Sequence, residues 1–411
     1  MATAVPPPQA PEANAGNSDA FAEFSEKLRR AWELALHPPK IEVGQTPADV
    51  VLKEGRMRLL HYHCPPNVRK EDRPPVLCVY ALINKPYIMD LQPGLSVVES
   101  LLARGLDVYL IDWGTPNQLD KDLTLHDYVN GYVAHSVEAV QRETGLGQIH
   151  ILGYCMGGTF SAMYTAQHPE NVRTLALMAA PLDFDTRSSY LNIWAHAPGF
   201  DAWKIARTYG LLPPEFFNSA FGMLDPLRTN YLKFKDLLER MDDRPFVENF
   251  LRMEKWTNDG IPMAGPTYAE FIDKGYQRNL LIKGEWTLDG ERRPVELSNL
   301  RMPLATIVGL KDNLVPPEST ERVLDHVGSK DTTKFQFPGG HIGLSVSRRA
   351  HQELWPRYAD WVLARSRGSA TSDRPAPRDA GAGRARPAQR PARPAKGGRS
   401  GRPANRRRKN A

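Results

Sequence analysis

The chain is poor in cysteine, with only Cys64, Cys78 and Cys155 among its 411 residues. Three thiols make no paired framework, which excludes a disulfide-stapled secreted scaffold and predicts a reducing, cytoplasmic setting. Long apolar runs are missing as well. No stretch approaches the ~20 apolar residues of a membrane helix. The opening Met1-Ala-Thr-Ala-Val-Pro-Pro-Pro lacks the basic and apolar regions of a signal peptide. No internal repeat is found. What is present is the make-up of an ordinary soluble protein, 41% apolar and 24% charged, with enough carbon for a sizeable core.

Charge is unevenly spread. Of 53 Lys+Arg and 47 Asp+Glu, residues 367–411 hold fourteen basic residues and two Asp, which leaves 39 basic and 45 acidic residues in 1–366. The body is mildly acidic, and the net charge of +6 belongs to the tail. That tail is Arg/Pro/Ala/Gly-rich, has almost nothing apolar larger than Ala, and reads as disordered. Its basic residues lack interleaved aromatics. They suit non-specific contact with nucleic acid or another anionic surface, a granule or partner surface, or simple solubility.

Residues 1–17 carry too little apolar content to fold. From Ser18, a candidate N-cap, Phe21, Phe24, Leu28, Ala31, Trp32 and Ala35 recur at helical spacing, and Pro38-Pro39 stops the element. Residues 18–45 therefore read as an amphipathic helix and linker. The helix either packs on the main domain or docks a partner, and a stripe of this kind is more commonly a core face.

From about residue 55, β-like and helix-like segments alternate. Strands are expected at Arg58–His63, Val76–Leu82, Leu106–Ile111, Gln148–Tyr154, Thr174–Met178, Leu304–Val308 and Lys334–Phe337. Helices are expected at Ser96–Arg104 and Leu125–Thr144, from Thr159, and through Leu354, Trp361 and Val362. Alternation with fully apolar strands predicts an α/β fold with a mostly parallel sheet covered on both faces. The core is divided, 46–182 and 301–366. Residues 183–300 break the alternation and are rich in aromatics, among them Trp194, Phe200, Trp203, Phe216, Phe217, Tyr268 and Phe271. They read as a largely helical cap inserted over the C-terminal edge of the sheet, where open α/β sheets bind ligands; a subdomain without a gating role is the plainer alternative.

Ile149-His-Ile-Leu152 leads into Gly153-Tyr154-Cys155-Met156-Gly157-Gly158, a G-x-C-x-G turn between a strand and a helix. In α/β-hydrolase folds such an elbow lifts the nucleophile clear of the sheet, followed in chain order by an acid and a histidine. The strand Leu304–Val308 precedes a loop with Asp312, and the strand Lys334–Phe337 precedes Pro338-Gly-Gly-His341. Cys155 is the candidate nucleophile, His341 its base, and Asp312 the residue that orients the imidazole. The backbone N–H of Met156 and that of Ile83 are candidate oxyanion donors. Cys78 reads as an inert core residue and Cys64 as structural. His61-Tyr-His63-Cys64 offers ligand types for a metal but no second ligand cluster, so none is expected.

These segments resemble the polyhydroxyalkanoate synthases over about residues 45–365. The carrying stretches are Tyr80-Ala-Leu-Ile-Asn-Lys-Pro-Tyr, Asp107-Val-Tyr-Leu-Ile-Asp-Trp-Gly, Gly153-Tyr-Cys-Met-Gly-Gly, Asn249-Phe-Leu-Arg-Met-Glu-Lys-Trp, Asp312-Asn-Leu-Val-Pro-Pro and Phe337-Pro-Gly-Gly-His-Ile-Gly. The body most resembles the short class III catalytic subunits, which act with a second subunit. The resemblance implies transfer of (R)-3-hydroxyacyl groups from coenzyme A through a Cys155 thioester onto a growing polyester. It implies no resident cofactor, since the CoA thioester is the substrate. It also implies a homodimer, a mobile cap, and work in the cytoplasm at the surface of polyester granules. Asn313 stands where many relatives place a histidine, and the basic tail and proline-rich start lie outside the short pattern. A cysteine hydrolase of the same fold is the rival enzyme. A binding protein whose tail carries the function is the rival of another class.

Overall fold

The computed structural model describes residues 15–64, 73–186, 188–224, 226–227, 231–288 and 293–366. The proline-rich start and the basic tail, both expected to be unfolded, lie outside the described residues.

The first element, α1 (Ala15–Leu36), begins a turn earlier than Ser18, so that serine is not its cap. No proline follows Pro11 until Pro38, and nothing in between breaks the helix. Its apolar stripe is not a core face. Phe21 is 73% and Trp32 67% exposed, and Phe24, Leu28 and Leu36 are exposed with them.

Eight strands form the central sheet: β1 (Ala48–Glu54), β2 (Met57–Tyr62), β3 (Pro75–Val79), β4 (Asp107–Asp112), β5 (Ile149–Tyr154), β6 (Val172–Met178), β7 (Leu304–Gly309) and β8 (Thr332–Phe337). Their order is β1-β2-β4-β3-β5-β6-β7-β8. Only β2 runs against its neighbours; the six strands from β4 to β8 are parallel. Every residue of β3, β4, β5 and β7 is buried, as the apolar runs required. β1 lacks a strand signal in the sequence, because its half-buried and exposed residues follow no regular alternation on this edge strand.

Helices α2 (Val97–Leu102), α3 (Ala134–Thr144) and α4 (Met156–Gln167) join the first strands. The Ser96 hydroxyl caps α2 by accepting from the Glu99 N–H. Between β6 and β7 the chain is largely helical, in α5 (Tyr190–Ala195), α6 (Ala202–Tyr209), α7 (Pro214–Gly222), α8 (Lys233–Glu239), α9 (Arg244–Asn258) and α10 (Gly265–Glu270). The helix α11 (Trp355–Ser366) closes the described chain. Strand order reverses between β3 and β5, so the loops after these two strands flank the crevice where such sheets receive ligands. The helix α1 lies against α8, with an ion pair from Arg30 to Asp242. Among the described residues no helix is long and apolar enough to cross a membrane.

Candidate active site

Cys155 is the turn between β5 and α4, with φ 56° and ψ −129°. A side chain in that region of backbone space costs about 1–3 kcal/mol and persists only where its surroundings enforce it. Here the enforcement is dense packing. The Cys155 N–H donates to Met178 O at 2.9 Å, and Gly158 N–H donates to Cys155 O at 2.8 Å. A Cβ on Gly157 would sit 2.2 Å from Val79 O, so only glycine lets α4 start directly against the end of β3. That contact explains why the helix begins at Met156 and not at Thr159, where the paired glycines suggest a break.

The parallel strands deliver the other two residues to the same edge. Asp312 follows β7 and His341 follows β8; their loops meet where Lys311 N–H donates to Gly339 O at 2.9 Å. His341 Nδ1 bonds Asp312 Oδ2 at 2.7 Å, with the carboxylate fully buried and the imidazole 11% exposed. The other carboxylate oxygen, Oδ1, accepts the N–H groups of Leu314 and Val315, each at 2.9 Å. Sequence reading missed those two amides, although a short turn after an aspartate supplies such donors. Burial works against charge on the His341 ring. The Asp312 carboxylate outweighs it and holds the imidazole well above its ordinary pKa. Asn313, next to the aspartate, points into solvent.

Cys155, Met156 and Ile83 line one cavity of about 150 Å³ beneath the insertion. Its walls are carbon-rich, with Trp194, Phe200, Phe216, Phe217, Tyr268 and Phe271 all supplied by the aromatic-rich segment. Met156 is the first residue of α4, where backbone N–H groups have no intrahelical partner. The Ile83 carbonyl accepts Ile261 N–H at 2.9 Å, which ties the loop after β3 to the insertion. Of the remaining candidates, Cys78 is buried in β3. His61 and His63 bond different carboxylates, Asp107 and Asp49, and Cys64 Sγ also reaches Asp107. No group of three or more potential metal ligands occurs among the described residues.

A strained elbow, an Asp–His pair and this strand order define the α/β-hydrolase class, and the "alpha/beta hydrolase fold" family profile matches residues 74–346. A second profile, "Poly-beta-hydroxybutyrate polymerase (PhaC) N-terminus", matches residues 39–101. Two archaeal relatives are described as "Poly(3-hydroxyalkanoate) polymerase subunit PhaC". That of Haloferax mediterranei is 45% identical over 84% of this chain and 69% of its own, and that of Haloarcula marismortui 46% over 81% and 71%. A third so described, from Allochromatium vinosum, is 38% identical over 84% of this chain and 96% of its own. Among solved structures, a Paleococcus ferrophilus monoacylglycerol lipase superposes with a TM-score of 0.47 at 16% identity, covering 76% of this chain and all of that one. The chain belongs to the poly(3-hydroxyalkanoate) polymerase family and is an acyltransferase on an α/β-hydrolase frame.

Proposed function

We propose that Cys155 carries the acyl group, with His341 and Asp312 completing a triad. His341 takes the thiol proton, and the sulfur attacks the carbonyl of an (R)-3-hydroxyacyl-CoA. The carbon–sulfur bond to coenzyme A breaks, the proton leaves with the coenzyme A thiol, and the acyl group rests on Cys155 as a thioester. A chain-end hydroxyl then attacks that thioester. His341 accepts the hydroxyl proton and returns it to Cys155, and the polyester is longer by one unit. Asp312 holds the imidazole tautomer and stabilises its charged form. The N–H groups of Met156 and Ile83 meet the oxyanion. No resident cofactor takes part in this chemistry.

The observation that carries this reading is a cavity-lining Cys155 within electrostatic reach of an imidazole that a buried carboxylate holds. Water there would divert the acyl-enzyme to free acid, so the aromatic lining favours transfer over hydrolysis. The cavity is smaller than the ~300 Å³ at the lower end of small-ligand pockets, so admission of a pantetheine arm requires the insertion to shift. Incubation with labelled 3-hydroxybutyryl-CoA tests the reading. The native chain should make polymer and become labelled at Cys155, and Cys155→Ala should do neither. Mainly monomeric acid would make the chain a hydrolase. In the cell, we place the enzyme in the cytoplasm at the polyester granule surface, as a homodimer working with a second synthase subunit. The basic tail is an accessory anchor to nucleic acid or another anionic surface.

A further inference from the structure

His341 is restrained at two points, its ring and its backbone carbonyl, and the proposed triad accounts for the first. Asp312 holds the ring at Nδ1. The peptide of His341 is held separately, where the Tyr154 hydroxyl donates to the His341 carbonyl at 2.9 Å. Tyr154 is the last residue of β5 and immediately precedes Cys155. Its ring lies 5.3 Å from the imidazole at a tilt of 33°.

Tyr154 is well placed to act as a fixed post. It is fully buried, and it is in register with Met178 of β6. Tyr80 packs edge-on against its ring at 5.3 Å, and the Tyr80 carbonyl is in turn held by the Trp113 indole N–H at 2.9 Å. Burial pushes the Tyr154 phenol up to about 12, so its proton stays available to donate at neutral pH. The loop it grips, Pro338-Gly339-Gly340 before His341, has no side chain on either glycine for anchorage and is held upstream by the Lys311 N–H on Gly339 O.

We propose that Tyr154 is a positioning residue for His341, setting the height of the imidazole above the thiol from the strand that carries the thiol. Asp312 governs the rotation and tautomer of the ring; Tyr154 governs where the loop stands. The inference rests on the proposed role of His341 as the base, but not on the identity of the acyl group. A loop freed from its post leaves the Asp–His bond intact while the imidazole drifts from the sulfur, and small displacements of this sort are costly to rate.

Tyr154→Phe keeps the ring packing and removes only the hydroxyl. The variant should lose about tenfold in kcat with KM within about twofold of the native value. The second measurement is alkylation of Cys155 by iodoacetamide as a function of pH, read on the Cys155 peptide by mass spectrometry. Tyr154→Phe should react about tenfold more slowly than the native chain at pH 7 and equally fast once the pH ionises any accessible thiol. Unchanged kcat and an unchanged alkylation profile overturn the proposal. A slowing of equal size at every pH, with a lowered thermal midpoint, also overturns it, since that is loss of structure and not of position. If the native chain transfers no acyl group but the alkylation difference persists, the substrate reading fails and the positioning role stands.

Discussion

At the scale of the residue, the pairing of His341 with Asp312 couples chemistry to stability. The folded chain holds the His341 pKa above its unfolded value, so the folded state binds the extra proton. The stabilisation is therefore fully present below pH about 6.5 and is lost as pH rises through the folded-state value. Asp312→Asn removes the main attraction for that proton. Urea midpoints of the native chain and this variant should differ most at pH 6 and converge toward alkaline pH, where the native imidazole is neutral. A constant difference at all pH values would mean that lost hydrogen bonds, and not the charge, account for the effect. The same substitution should lower activity by about 10²–10⁴-fold, because the imidazole tautomer is no longer fixed.

At the scale of the element, the junction of β5 with α4 is closely packed. Gly157→Ala puts a methyl group against the Val79 carbonyl, a backbone atom that cannot swing away. We expect a loss of about 1–3 kcal/mol in chemical denaturation, together with reduced activity as α4 is pushed from β3. Gly131→Ala meets no atom within 4 Å and should be near neutral, which makes it the control. Elements of this kind were legible in the sequence where burial is complete: β3, β4, β5 and β7 appear as apolar runs, and Asp312 and His341 fall on the loops that follow predicted strands. Partly exposed β1 escaped notice, since its pattern is that of a half-covered edge. The start of α4 was read late because Gly157-Gly158 mark breaks in isolated helices, whereas here they permit contact with another strand. The stripe on α1 predicts an amphipathic helix correctly but cannot say whether anything covers it. The Tyr154–His341 bond was invisible, because nothing local to the elbow indicates which side chain will reach a loop 187 residues away.

At the scale of the whole molecule, an acidic body carries a basic tail, and the two are expected to be separable. A chain ending at Ser366 should synthesise polymer at the native rate while losing retention on DNA. In the full chain that retention should weaken steeply as salt rises, as counterion release requires. Loss of synthesis itself would place part of the catalytic unit within 367–411. The strand order also sets when, during biosynthesis, the proposed triad can assemble. Cys155 emerges from the ribosome early, whereas the His341 loop is translated only after β6, the whole helical insertion, β7 and β8. At ordinary translation speeds of 5–20 residues per second, the 187 residues separating Tyr154 from His341 take roughly 10 to 40 s to make. On the proposed triad, the nascent thiol lacks its base throughout that interval. Fragments that end before His341 should therefore take up no label from the acyl-CoA, a result that peptide mapping of truncated chains would check.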